Sequence, residues 1–242
     1  MRFSVIIPAY NEAKYLPRLL SSLEVARANY SGGQDQVEMI VADNDSVDAT
    51  AKVAAEHGAR VVHVLKRRIG AARNGGAREA RGEIFCFIDA DSAVHPQTFD
   101  AIDAKMKTGR YVWGVTGATL ERKSFALLVT YYFFLPMVFL TGLDTGLSFC
   151  RREDFAAVGG YDEDRFYAED VKFPLALRRL GRARGQTTTR LPQVKALACT
   201  RKFDQFGEWH YFRMLAHACK SLLTNNWHDE ELAERYWYNP GR

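Results

Sequence analysis

The run Ile84-Phe85-Cys86-Phe87-Ile88 ends abruptly at Asp89-Ala90-Asp91, and this junction constrains the fold more than any other stretch of the chain. A short unbroken apolar run predicts a strand buried on both faces, as in the parallel sheets of α/β proteins, whose ligands collect beyond the carboxyl ends of the strands. Residues two apart in extended chain project to the same side. Both carboxylates can therefore converge on one hard cation, or on a cation and a ribose. Acid-x-acid also occurs in solvated turns, so it is the position at the end of a buried strand that gives this one weight.

Two earlier stretches repeat the arrangement. Phe3-Ser4-Val5-Ile6-Ile7 predicts a strand ended by Pro8, and Glu12 to Ala28 carries Leu16, Leu19, Leu20 and Leu23 at helical spacing. The turn between them, Pro8-Ala9-Tyr10-Asn11-Glu12, has no glycine, which excludes the dinucleotide fingerprint and the phosphate-cradling loop. Tyr10 either offers its ring to a base or packs as a turn aromatic. Val37 to Ala42 is a second strand, running into Asp43-Asn44-Asp45-Ser46-Val47-Asp48. Asp48 or Ser46 is placed to cap the helix predicted over 49–57, leaving Asp43 to accept hydrogen bonds from a ligand. Arg60 to Leu65 makes a third strand, closing a β-α-β-α-β series with right-handed crossovers. The stretch Gly70 to Gly82 reads as a helix of small residues with arginines interleaved. Small residues there would let backbone approach a ligand, and Arg73 could reach a base edge or a phosphate, while Arg78 and Arg81 read as a solvated face.

A chain of 242 residues, 47% of them hydrophobic, can bury a large core, which excludes a disordered or fibrous protein. The net charge of +4 is mild and dispersed, apart from Lys66-Arg67-Arg68, Arg178-Arg179, Arg182 and Arg184. It suits anionic small molecules or an anionic membrane surface, not a nucleic-acid stripe. The four cysteines form no C-x-x-C pair, so they read as core thiols of a reducing compartment. Met1-Arg2 leads straight into a strand without a charged-then-apolar leader, which predicts a cytoplasmic start.

The ordered set Ser4-Val5-Ile6-Ile7-Pro8-Ala9-Tyr10-Asn11-Glu12, Val41 to Thr50, Ala72-Arg73-Asn74-Gly75-Gly76 and Phe87-Ile88-Asp89-Ala90-Asp91 resembles the family 2 glycosyltransferases of GT-A fold. The resemblance implies a Rossmann-like, mostly parallel central sheet flanked by helices, a nucleotide-diphosphate sugar donor and a divalent metal, Mn²⁺ or Mg²⁺. It places Pro8, Tyr10 and Glu12 at the nucleotide, Asp43 and Arg73 at the base, Asp89 at the ribose and metal, and Asp91 on the metal that bridges the diphosphate. Asn44-Asp45 departs from the Asp-Gly often found there and alters that turn.

The second half supplies the acceptor side. A helix is predicted over 96–107, an extended strand over 111–119, and a strand over 144–150 followed by a short helix from Arg152 to Val158. Residues 125–140 carry no charge, but they fall short of the ~20 residues of a spanning helix and contain Pro136. They read either as a core helix or as one facing a membrane or lipid acceptor, which would make the protein peripheral at the inner face of a membrane. Gly159-Gly160-Tyr161-Asp162-Glu163, followed by Glu169-Asp170 opening a helix, continues the resemblance and implies Asp170 as catalytic base with Glu169 beside the acceptor. Without that resemblance, either acid reads as a helix cap. The resemblance also sets Arg201 and Lys202 over the diphosphate. His210 and His217 lie two turns apart on one helix face, and His210 is the candidate to complete the metal shell. The expectation is one domain over 1–242, with a nucleotide-sugar half (1–92) and an acceptor half (93–242). The resemblance implies that it transfers a sugar from a UDP-sugar to a hydroxyl acceptor with inversion, in cell-envelope polysaccharide or glycolipid synthesis. A sugar-phosphate nucleotidyltransferase, or a non-catalytic nucleotide-sugar-binding relative, are the alternatives; the first would want a glycine-rich basic first turn.

Overall fold

The computed structural model describes residues 1–122, 124–130, 132–133, 146–164, 169–209 and 212, with the side chains of Glu169, Asp170 and Lys202 outside that description. In chain order the elements are β1 (Phe3–Ala9), α1 (Leu16–Asn29), β2 (Val37–Asp43), α2 (Thr50–Glu56), β3 (Arg60–His63), α3 (Ile69–Glu79), β4 (Ile84–Phe87), α4 (Thr98–Met106), β5 (Tyr111–Val115), β6 (Ala118–Leu120) and α5 (125–130). They continue with β7 (Ser148–Arg151), α6 (Arg152–Ala157), α7 (Glu169–Ala183), β8 (Thr187–Arg190), β9 (Ala196–Ala198) and α8 (Arg201–Phe206). A seven-stranded sheet has the order β3-β2-β1-β4-β7-β5-β8, and β6 pairs with β9 beside it. All pairs are parallel except those made by β7, which runs antiparallel between β4 and β5. The chain moves outward from β1 through β2 to β3, then crosses to the other side of β1 to lay down β4. The switch point therefore falls between β1 and β4, where a crevice opens at the carboxyl ends of both strands.

The apolar pattern explains the layering. β1 is buried along its whole length, with Phe3, Val5, Ile7 and Ala9 on one face and Ile6 on the other. The first face packs on α1 and α4 through Leu16, Leu19, Leu20, Leu23, Phe99 and Ile102. At about 1.5–3 kcal/mol for each fully buried leucine, the four of α1 contribute on the order of 6–12 kcal/mol before conformational entropy is counted. The second face packs on α3 and α7, with Phe85, Phe87, Phe173 and Leu177 in the interface.

Several elements differ from the sequence reading, each for a local reason. β1 continues through Pro8, because the Pro8 backbone faces the β4 side beyond the last β1–β4 pair, Ile6–Phe87, where no ladder donor is needed. α1 starts at Leu16 and not at Glu12. Asn11 has φ +54°, and the amides of Asn11, Glu12 and Ala13 donate to Ser46 Oγ, Thr50 Oγ1 and Asp48 Oδ2 at 3.0, 2.8 and 3.1 Å. The extended run over 111–119 breaks at Gly117 (φ +74°) into β5 and β6, and β6 leaves the main sheet for β9. The glycines of α3 serve packing: a Cβ at Gly76 would lie 2.7 Å from Ile6 Cγ2, and one at Gly75 2.5 Å from Val64 Cγ2, so they let the helix sit close on the sheet. The strand expected from Asp144 begins at Ser148, with residues 144–145 outside the described set.

Of the apolar stretch 125–140, the described part splits by face. Ala126, Leu127 and Thr130 are buried, while Phe125, Leu128, Tyr132 and Phe133 are exposed, Phe125 at 79%. Among the described residues no helix is long and apolar enough to cross a membrane. Cys86 and Cys150 are buried free thiols whose pKa values burial pushes up, as core residues.

Candidate active site

The carboxyl edge around the switch point collects the acids that the sequence pattern singles out. Asp43 ends β2 in register with Ala9, and Asp89 follows β4 two residues beyond the Ile6–Phe87 pair. The two therefore leave their strands at nearly the same level on either side of β1, roughly 10 Å apart by two strand spacings.

On the β2 side, Asp43 is buried; its Oδ1 accepts the Ser46 amide at 3.3 Å and its Oδ2 lies 3.2 Å from His63 Nδ1. Asn44 donates from Nδ2 to the carbonyls of Val64 and Lys66, at 2.9 and 2.7 Å, and so ties the strand tip to the next loop. Asp45 takes the left-handed conformation (φ +66°), as glycine does readily and aspartate with little strain. It pairs with Arg67 at 2.9 Å, and that guanidinium lies over the Tyr10 ring, 5.3 Å from its centroid. Tyr10, at the end of β1, is half-buried, and Pro8 is buried in the strand.

On the β4 side, Asp89 has its side chain 60% exposed and accepts from Arg73 Nη2 at 3.2 Å. Arg73 is itself fixed over the Tyr161 ring, 5.0 Å from the centroid. Asp91 turns inward: Arg18 donates to its backbone carbonyl, and Arg201 Nε lies 3.0 Å from its Oδ2. Arg201 also donates to both oxygens of Glu12, Nη1 to Oε2 at 2.7 Å and Nη2 to Oε1. Burial alone would lower the Arg201 pKa, but the Glu12 hydrogen bonds and the Asp91 and Glu12 charges outweigh it, so the group stays firmly cationic. The structure thus places Glu12 and Arg201 in one buried ion cluster, where the sequence reading had put them separately along the nucleotide.

The backbone of Glu169 and Asp170 opens α7 at this same edge. Phe173, one turn in, stacks on Tyr161 at 4.1 Å and packs on Phe87, the last residue of β4, at 6.1 Å. A Cβ at Gly181 would meet Val112 near the start of β5, so α7 runs from the carboxyl edge of the sheet towards the amino edge. The loop before α7 is anchored on α3 by Asn74, whose Nδ2 donates to the Tyr161 carbonyl and Glu163 Oε1, both at 2.9 Å, while its Oδ1 accepts the Tyr161 amide at 2.9 Å. Lys202 lies in α8, and His210 falls outside the described residues.

Sequence reasoning passed over Asn74, Arg18, Arg67 and His63. Asn74 stood inside a quoted motif and Arg67 inside a noted basic run, so a signal existed for both. Nothing local marks Arg18 or His63. Asp89 and Asp91 stand in one turn, closed by the Ser92 amide on the Asp89 carbonyl at 3.1 Å, and their carboxylates are the hard oxygen donors that would hold a divalent ion there. Among the described residues no group of three or more His, Cys, Asp or Glu side chains forms a fuller cage.

The description glycosyl transferase family 2 matches residues 4–171. A curated relative, the dolichyl-phosphate beta-glucosyltransferase of Drosophila melanogaster, is 34% identical over 134 residues, covering 51% of this chain and 41% of that protein. The chain spans less than half the length of the curated relatives it matches. Among solved structures it is similar to S. aureus TarS 1–349 in complex with UDP-GlcNAc, with a TM-score of 0.66 and 21% identity, covering 83% of this chain and 59% of that one. It is also similar to Mycobacterium tuberculosis glucosyl-3-phosphoglycerate synthase in complex with Mn²⁺, UDP and glucosyl-3-phosphoglycerate, with a TM-score of 0.55 and 21% identity over 78% and 70% of the two chains. The sheet order, the acids at its switch point and the match over most of the sequence together establish that the chain belongs to glycosyl transferase family 2, built on the GT-A fold.

Proposed function

We propose that the protein transfers a sugar from a UDP-sugar to a hydroxyl acceptor with inversion, assisted by Mn²⁺ or Mg²⁺, with 1–92 as the donor half and 93–242 as the acceptor half of one unit. One observation carries this reading: Asp43, Asp89 and Asp91 flank the β1–β4 switch point, and α7 opens with Glu169-Asp170 at the same edge. The relatives support it, since one is named for glucosyl transfer to dolichyl phosphate and two solved neighbours were obtained with UDP-GlcNAc or with UDP and Mn²⁺.

In this reading the base stacks by Tyr10 and donates a hydrogen bond to Asp43 with Arg73 beside it, while Asp89 faces the ribose. A divalent ion bound by Asp91 and Asp89 would supply positive charge to the leaving diphosphate. Asp170 takes the proton from the acceptor hydroxyl as that oxygen attacks the anomeric carbon from the face opposite the diphosphate, which inverts the centre. Glu169 orients the acceptor. Lys202 follows Arg201 in α8, and the family resemblance assigns it to the diphosphate. The exposed Phe125, Leu128, Tyr132 and Phe133 favour an acceptor edge that meets lipid over a core helix.

Asp170→Asn tests the assignment. Calorimetry with UDP and Mn²⁺ should show donor-side affinity unchanged, while the transfer rate falls about 10²–10⁴-fold, the range expected for a lost general base. A variant that turns over at near wild-type rate places the base elsewhere.

A further inference from the structure

At the carboxyl ends of β1 and β4 one guanidinium, that of Arg201, bridges two carboxylates, Glu12 and Asp91. Glu12, Arg201 and Asp91 have side chains only 6%, 10% and 16% exposed, and they come from the β1 turn, the start of α8 and the β4 turn. The guanidinium is fixed in plane by the two-pronged contact with Glu12 and by the Tyr15 ring, 4.6 Å from its centroid. Its Nε then meets Asp91 Oδ2 at 3.0 Å, while Arg18, anchored on Glu121 at 2.7 Å, holds the Asp91 carbonyl. Asp91 is gripped at both backbone and side chain, in contrast to the exposed Asp89.

A guanidinium beside a cation ligand would ordinarily work against the cation, because two like charges a few ångströms apart repel strongly in a partly dry site. Glu12 resolves that conflict. We propose that Glu12 is a positioning residue for the cation site: by pairing with Arg201 it offsets that positive charge, so the guanidinium orients Asp91 without adding net charge beside a divalent ion. The inference rests on the reading of Asp91 as a cation ligand given above, and it concerns a residue that the sequence pattern had put against the nucleotide.

The test compares the full-length wild type with Glu12→Gln, Arg201→Gln and the double variant, measuring Mn²⁺ affinity in the presence of UDP from the electron paramagnetic resonance signal of free Mn²⁺. Circular dichroism and thermal melting report folding. Relative to the wild type, Glu12→Gln removes one negative charge from the cluster, Arg201→Gln removes one positive charge, and the double variant leaves the sum unchanged. Glu12→Gln should weaken Mn²⁺ at least tenfold, and the double variant should return to within threefold of the wild type. A merely structural Glu12 would make the double variant as weak as Glu12→Gln or weaker, and that result overturns the proposal. Should Glu12→Gln fail to fold, the pair Arg201→Gln and the double variant decides. With Arg201 gone, removing Glu12 takes one negative charge from the cluster, so the double variant should bind Mn²⁺ more weakly than Arg201→Gln yet within threefold of the wild type, and a double variant more than threefold weaker than the wild type overturns the coupling. A wild type that binds UDP but no Mn²⁺ overturns the metal reading and this inference with it; normal wild-type binding with an unaltered Glu12→Gln overturns this inference alone.

Discussion

Asn74→Ala removes the side chain that ties α3 to the loop leading into α7, and the size of its effect follows from the bonds it makes. The amide group is buried and spans 87 residues of sequence to hold both the N–H and the C=O of Tyr161, with a third bond to the Glu163 carboxylate. Net contributions of about 0.5–1.5 kcal/mol for each of the two neutral bonds and about 1.5–3 kcal/mol for the one to a carboxylate give an expected loss of about 2.5–6 kcal/mol. Urea unfolding followed by tryptophan fluorescence at neutral pH measures it directly. The same bond also has a pH signature. The Asn74 hydrogen bond, opposed by burial and joined by Arg78, holds the Glu163 carboxyl below its ordinary value of 4.5. A depressed folded-state value contributes stability that is fully present above the unfolded value and is lost as pH falls through the folded one. The difference between wild type and Asn74→Ala should therefore be constant at neutral pH and narrow as the solution is acidified below 4.5. A loss under about 1 kcal/mol at neutral pH, against the energies of three buried bonds, would refute the reading of this anchor. So would a gap that widens in acid.

Two further outcomes follow from named contacts. Asp91→Ala should abolish the enhancement of UDP binding by Mn²⁺ in calorimetry while leaving metal-free UDP binding in place; unchanged, metal-stimulated affinity would remove Asp91 from the cation site. Gly76→Ala should destabilise the fold by about 1–3 kcal/mol, the usual cost of overpacking, because the new methyl would lie 2.7 Å from Ile6 Cγ2 and 3.4 Å from Ala42 Cβ. A denaturation midpoint equal to that of the wild type would show that α3 can move off the sheet.

The parallel half of the fold was legible because its strands are buried on both faces, so their apolar runs stand out and end at the acids that line the crevice. Boundaries were less legible where side chains far along the chain decide them. The helical pattern of Leu16 to Leu23 could be followed back to Glu12, but Ser46, Asp48 and Thr50 take up the amides at 11–13 and hold that turn out of the helix. Gly75 and Gly76 show a different gap: a small residue says only that something comes close, and here that is Val64 and Ile6 of the sheet.

The Glu12–Arg201 contact sets the limit of what a linear reading can find. Its partners stand 189 positions apart, and although each was singled out as a site residue nothing local marks them as a pair, since a glutamate before a helix and an arginine opening a short one are both ordinary at a surface. Their burial follows from the topology: β6 pairs with β9, which feeds α8, and an ion pair joins Arg122, just after β6, to Asp204 of α8 at 2.9 Å. That small sheet carries Arg201 to the β1 and β4 turns. Breaking a buried pair from one side leaves a charge without its counter-ion, which costs far more than the pair itself contributes. The geometry at Asp91 therefore depends on a two-stranded sheet outside the main one, and a substitution that unpairs β6 from β9 should reach Asp91 through Arg201 without altering the β1, β2 or β4 turns themselves.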